Sequence, residues 1–255
     1  MNHKNKTYLL VIIFIVILLS VLSIIKIFAT DRQKLYQSET IQQATLLASK
    51  PKHYKYIALT FDDGPYGTST QEILDILKKE NASATFFLIG KNVEKYPDLT
   101  RKIVANGNVI GNHSYDHSKY LAYMSAEAFQ KNIEQAEQAI FISTGLKPKL
   151  FRPPYGSSSQ SMLTSLATNG YVDVMWNIDP RDWDYKNSPK SLVFEKIVDN
   201  AKQNAIIIMH DGRDTKINYP RENTIEALPE IIEKLRSEGY AFVTIDQILK
   251  EKPYF

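Results

Sequence analysis

From residue 54 onward, short apolar runs alternate with longer stretches whose apolar positions recur at helical spacing. The runs at residues 56–61, 84–89, 108–111, 149–152, 172–177, 205–209 and 241–245 read as strands. Helical patterns lie between or after them, at residues 70–80, 97–106, 125–144, 158–169, 189–203 and 224–238. Asn106-Gly107, Asn169-Gly170 and Glu238-Gly239 supply stop signals after three of the helices. Strands alternating with helices imply a parallel sheet with its helices outside. Seven such units suggest an α/β fold of the closed or nearly closed β/α barrel type. No internal repeat or low-complexity segment interrupts the rhythm.

The chain ahead of this rhythm has a different character. Residues 8–25 are apolar apart from Ser20 and Ser23. Eighteen residues are just enough to cross a bilayer, and Lys4 and Lys6 precede them. No convincing small-x-small cleavage site follows. Residues 1–29 therefore read as a cytoplasmic tip and signal-anchor helix, with a cleaved, secreted form as the alternative. Residues 30–53 are polar and read as an extracellular stalk, and residues 54–255 as the main domain. The expected location is the cell membrane, single-pass, with that domain outside.

Charge and cysteine content narrow the function. The net charge of +3 comes from the N-terminus: without Lys4, Lys6 and Lys26 the 31 basic residues fall to 28, equal to the 28 acids. A neutral domain without a basic stripe gives no case for nucleic acid as a partner. No obligate protein partner is evident. The absence of cysteine excludes disulfides, thiol catalysis and cysteine-based zinc sites.

Polar residues of unusual type gather where the strands end. Asp62 and Asp63 follow the first, His113 the third, Arg152 closes the fourth, Asp179 to Trp183 follow the fifth, and His210 the sixth. Carboxyl ends of strands are where β/α barrels build active sites. Neighbouring side chains on a strand point to opposite sides, so Asp62 and Asp63 suit different roles, one on a metal and one on a proton. A polar turn is the plainer account of Asp-Gly-Pro. His113 and His117, four apart, face one way on a helical turn, and two histidines with one carboxylate leave a metal open positions. Ferrous iron in an oxygenase would use the same set, with no evident task for Asp62 or His210. Arg152, held in an extended segment by two prolines, can grip a carboxylate through two hydrogen bonds. A carboxylate near His210 would raise its pKa and fit it as an acid. Asp116, Asp184, Asp211 and Asp214 receive no role.

With these stretches in hand, residues 54–249 resemble the polysaccharide deacetylases with the NodB homology domain, carbohydrate esterase family 4. The matching stretches are Thr-Phe-Asp62-Asp63-Gly-Pro, His113-Ser-x-x-His117, Arg152-Pro-Pro-Tyr155-Gly, Asp179-x-x-Asp182-Trp183 and Ile-Met209-His210. The resemblance implies a distorted (β/α)7 barrel. It implies a divalent metal on Asp63, His113 and His117, zinc first, with Co2+, Ni2+ or Mn2+ as other ions for the site. Asp62 would be the general base, held by Arg152, and His210 the general acid, oriented by Asp182. The Tyr155 backbone N–H would bind the oxyanion, Trp183 would pack nearby, and Met209, where leucine is more usual, would border the acetyl methyl. The implied substrate is an acetylated glycan, with peptidoglycan N-acetylglucosamine first. N-acetylmuramic acid, chitin-type or exopolysaccharide glycan and O-acetyl xylan are the other candidates, and an inactive glycan-binding module is the reading from another class.

Overall fold

The computed structural model describes residues 54–212 and 221–255. The anchor and stalk expected at residues 1–29 and 30–53 lie outside the described residues. Among the described residues, no helix is long and apolar enough to cross a membrane.

The sheet is built around β1 (Lys55–Gly64), which is buried from Ile57 to its end. Ile57, Leu59 and Phe61 alternate with Ala58 and Thr60, so both faces of the strand are covered, as a parallel sheet requires. The other strands are β2 (Ala84–Leu88), β3 (Val109–Asn112), β4 (Leu150–Phe151), β5 (Val172–Asp173), β6 (Ala205–His210) and β7 (Tyr240–Phe242). All pair in parallel, in the order β5-β4-β3-β2-β1-β6.

The sheet curls but departs from a regular seven-strand barrel in two ways. β7 pairs only with Lys55–Ile57 of β1, leaving β6 directly against β1 over six residues. β5 is also shorter than the 172–177 run suggests. After Asp173 the chain leaves β4 and touches β6 instead, through a parallel bridge from Ile178 to Ile207. The Asn177 and Ile178 N–H groups both donate to the Ile206 carbonyl, and Ile208 N–H donates to Ile178. One bridge therefore carries the curl across to β6.

Helices cover the sheet: α1 (Gly67–Lys79), α2 (Gly90–Lys95), α3 (Pro97–Ala105), α4 (Ala126–Thr144), α5 (Gln160–Thr168), α6 (Lys190–Val198), α7 (Glu222–Ser237) and α8 (Ile245–Leu249), of which the short α2 and α8 lie outside the six expected patterns. Helix α4 begins where Ser125 accepts from Ala128 N–H, and ends where Gly145 turns left-handed at φ 76°. α6 stops at Val198, five residues before the end its pattern suggests. A satellite core of Leu121, Ala122, Phe129, Ile133, Phe151 and Met162 pins α4 and α5 beneath the loops that follow β3 and β4.

Space at the sheet centre is tight. A Cβ on Gly111 of β3 would lie 2.4 Å from the Phe87 ring, and the Arg152 guanidinium already lies 4.0 Å from the centroid of that ring. Gly111→Ala should therefore destabilise the fold by about 1–3 kcal/mol through overpacking. A thermal melt should register this as a fall of several degrees. An unchanged midpoint would mean that Phe87 has room to move.

Candidate active site

The five expected stretches converge on one cleft of about 480 Å³ at the carboxyl ends of the strands. Its lining includes Asp62, Asp63, His113, His117, Tyr155, Trp183 and His210. Arg152 and Asp182 lie behind them, at 0% and 1% exposure.

The two aspartates do not point to opposite sides. β1 bulges between Asp62 and Gly64, and Asp63 adopts φ 72°. That left-handed residue breaks the two-residue alternation and turns both carboxylates into one cleft. His113 Nε2 accordingly lies 3.7 Å from Asp62 Oδ2 and 3.6 Å from Asp63 Oδ1. A left-handed non-glycine residue costs of order 1–3 kcal/mol, and its surroundings must hold it in place. Here Asn92 donates to the Asp63 carbonyl at 2.8 Å, and the Asp211 and Gly212 N–H groups both donate to the Asp62 carbonyl at 3.2 Å. Gly212 approaches so closely that a Cβ would sit 1.8 Å from the Asp63 carbonyl oxygen.

The histidines converge through a turn rather than a helix. Ser114 and His117 are left-handed, at φ 69° and 52°. Asn112 Oδ1 accepts from Ser114 N–H, and Ser114 Oγ accepts from His117 N–H. The rings end 5.0 Å apart, with His117 Nε2 3.2 Å from Asp63 Oδ1. His113 Nδ1 lies 2.7 Å from the Arg152 carbonyl. A carbonyl can only accept, so Nδ1 carries the proton and Nε2 keeps its lone pair for the cleft. Burial, with the charge of His117 second, lowers the His113 pKa to about 3, keeping the ring neutral.

This donor set suits a divalent ion. Asp63, His113 and His117 offer ligand atoms all within 4.8 Å of one another. Asp63 Oδ1 is buried and accepts no hydrogen bond. One carboxylate and two imidazole nitrogens leave room for water or substrate.

Arg152 grips Asp62 through one hydrogen bond rather than two. Its Nη1 donates to Asp62 Oδ1 and to Thr60 Oγ1, each at 2.7 Å, while Nε donates to the Val174 carbonyl. Burial lowers the Arg152 pKa, and Asp62 opposes that shift. Across the cleft, Asp182 Oδ1 lies 2.7 Å from His210 Nδ1, and its Oδ2 accepts from His210 N–H and Thr224 Oγ1. Burial works against charge on both partners, yet their mutual attraction prevails. The His210 pKa is raised and that of Asp182 lowered.

The remaining positions divide. Tyr155 is exposed, with φ 59° and its ring 4.5 Å from that of His117. Trp183 is 41% exposed, with the Arg181 guanidinium over its ring. Met209 does not reach the cleft; it is fully buried in the main core. Strand alternation sends it away from the face that carries Ile208 and His210, and Ile208 lines the cleft in its place. Sequence reasoning also missed Trp176 and Arg221 in the lining. Counting back two from His210 would have found Ile208. No local pattern marks Arg221.

Comparison with known proteins agrees with this geometry. The family model described as Polysaccharide deacetylase matches residues 49–174. The peptidoglycan-N-acetylglucosamine deacetylase PgdA of Listeria monocytogenes is 37% identical over 203 residues, 80% of this chain. The chain spans only 41% of that relative's length. A peptidoglycan-N-acetylglucosamine deacetylase of Bacillus cereus is 36% identical over 204 residues, covering 79% of this chain and 92% of the relative. The crystal structure of the Bc1960 peptidoglycan N-acetylglucosamine deacetylase superposes with a TM-score of 0.73 at 32% identity, over 80% of this chain and 92% of that one. Its likeness carries the curled parallel sheet described above, and the chain belongs to the polysaccharide deacetylase family.

Proposed function

We propose that this protein hydrolyses N-acetyl groups of peptidoglycan N-acetylglucosamine, releasing acetate and leaving a free amine. The observation that carries the reading is the pairing across one cleft. A carboxylate held by a buried arginine faces a histidine held by a buried aspartate, with a metal-ligand triad between them. The substrate follows the relatives that match over most of this chain. Residues 1–29, as a membrane anchor, would present the domain to the cell wall. The full-length protein should then fractionate with membranes, and a soluble product beginning near Asp31 would argue for cleavage.

Asp63, His113 and His117 would hold the metal, zinc being the ion their donor set suits first. When bound, it supplies Lewis acidity towards the acetamide carbonyl and lowers the pKa of water. Asp62 takes a proton from the attacking water as the new C–O bond forms. Arg152 holds Asp62 Oδ1 and so fixes which oxygen faces the cleft. The Tyr155 backbone N–H donates to the developing oxyanion. His210, protonated on Nε2 and held through Nδ1 by Asp182, delivers its proton to the sugar nitrogen as the C–N bond breaks. Ile208, Trp176 and Trp183 supply the apolar walls.

Incubating the purified protein with peptidoglycan, chitin oligomers and acetyl xylan, and measuring acetate and free amine, tests the reading. Acetate should appear fastest from peptidoglycan. Release from xylan alone would reassign the substrate. The two adjacent aspartates should separate in the same assay. Asp62→Asn should keep its metal and lose at least about a hundredfold in turnover, the usual worth of a general base. Asp63→Asn should lose metal, with activity partly restored by excess zinc. The opposite pattern would exchange their roles.

The acid can be tested through pH. The raised His210 pKa keeps the imidazole protonated further into the alkaline range, so the rate should fall as pH rises through that pKa. Asp182→Asn removes the carboxylate that raises it. The alkaline limb should move to lower pH, with kcat lower throughout. An unmoved limb would detach His210 from that limb.

A further inference from the structure

Arg221 has no part in the chemistry above, yet it is 5% exposed and lines the cleft beside the metal-ligand triad. It immediately precedes α7, and its Nε donates to the Gly212 carbonyl at 2.7 Å. Gly212 is itself fastened to the bulge in β1: its N–H donates to the Asp62 carbonyl, and its Cα packs against the Asp63 carbonyl too closely for any side chain. The guanidinium is thus tied to the same backbone as the metal carboxylate. From there Nη2 reaches to 3.8 Å from Asp63 Oδ2. The other oxygen, Oδ1, is the one that faces His113 and His117. Nη1 is buried and donates no hydrogen bond.

From this geometry we infer that Arg221 is a positioning residue for the metal site, holding Asp63 Oδ2 so that Oδ1 stays aimed at the two histidines. The inference rests on the metal reading proposed above. A carboxylate can rotate about its Cβ–Cγ bond and exchange its oxygens. A cation fixed on one side removes that freedom and presents a single, prepaid ligand orientation. Arg152 is engaged with the other aspartate instead: its Nη1 donates to Asp62 and Thr60, and its Nε to the Val174 carbonyl. Two effects of the guanidinium oppose each other. Its charge repels a metal cation, and its contact orders a ligand. Loss of a group that orients a metal ligand typically costs 10–100-fold in metal affinity, and that sign is the one expected here.

The test is zinc affinity, measured by chelator competition on the full-length protein and its Arg221→Gln and Arg221→Lys variants, with thermal melts alongside. Arg221→Gln should bind zinc about 10–100-fold more weakly. Arg221→Lys should lose at least about threefold but less than Arg221→Gln, because it keeps a charge without the two-way grip. Zinc affinity within about twofold of the parent in either folded variant would overturn the inference. Tighter binding would overturn it too, by making Arg221 only a repelling charge. A parent protein that binds no zinc would instead sink the metal reading, and the role of Arg221 with it. Deacetylation does not enter this measurement, so a wrong glycan leaves the outcome intact.

Discussion

A positive charge lies fully buried behind the cleft, and much of the surrounding structure exists to make that tolerable. Arg152 has no exposed surface. Taking a guanidinium out of water is costly unless its charge is matched and its donors are used. Asp62 supplies the charge, Thr60 and the Val174 carbonyl accept further hydrogen bonds, and the Phe87 face lies 4.0 Å away, while Nη2 is buried without a hydrogen bond. Thr60 can accept because its own proton goes to the Ile207 carbonyl at 2.7 Å. Removing one partner of such a pair typically costs about 3–5 kcal/mol, against a total stability of roughly 5–15 kcal/mol for a domain. The arrangement is therefore fixed by folding rather than by substrate.

Strain and hydrogen bonding balance at the end of β1. Asp63, Ser114, His117 and Tyr155 all have positive φ, and all lie in or against the cleft. Short polar side chains tolerate that region better than branched ones. Hydrogen bonds with Asn92, Asp211, Gly212 and Asn112 brace the bends at Asp63 and Ser114, and Ser114 Oγ braces the one at His117. The cleft is built from backbone turns that would relax in isolation, and packing of the sheet and satellite core keeps them from doing so.

Much of this was legible in the sequence. Runs of apolar residues located every strand within a few residues, and the chemistry-bearing side chains stood at the strand ends where the structure gathers them. What the sequence hid depends on single backbone angles or on distant chain. Strand alternation would send Asp62 and Asp63 apart, and only the bulge at Asp63 reverses that. Alternation was sufficient for β6, yet Met209 adjoins His210 in sequence and drew the eye from Ile208, which faces the same way as the histidine. The passage of the chain from β4 to β6 rests on one bridge at Ile178, and no residue pattern announces it. Arg221 reaches Asp63 across more than 150 positions, beyond the range of any local motif.

Arg152 touches the site at both of its ends. Its side chain holds the Asp62 carboxylate at 2.7 Å, and its carbonyl holds His113 Nδ1 at the same distance. The spacing between the Asp62 carboxylate and the His113 imidazole is thereby measured out by one amino-acid residue, whose covalent skeleton acts as a ruler. Bond lengths and angles within a residue scarcely change, and the side-chain torsions that remain are held by burial and by the hydrogen bonds to Thr60 and Val174. Two groups that line the same cleft share a common datum, so errors elsewhere in the chain displace them together rather than apart.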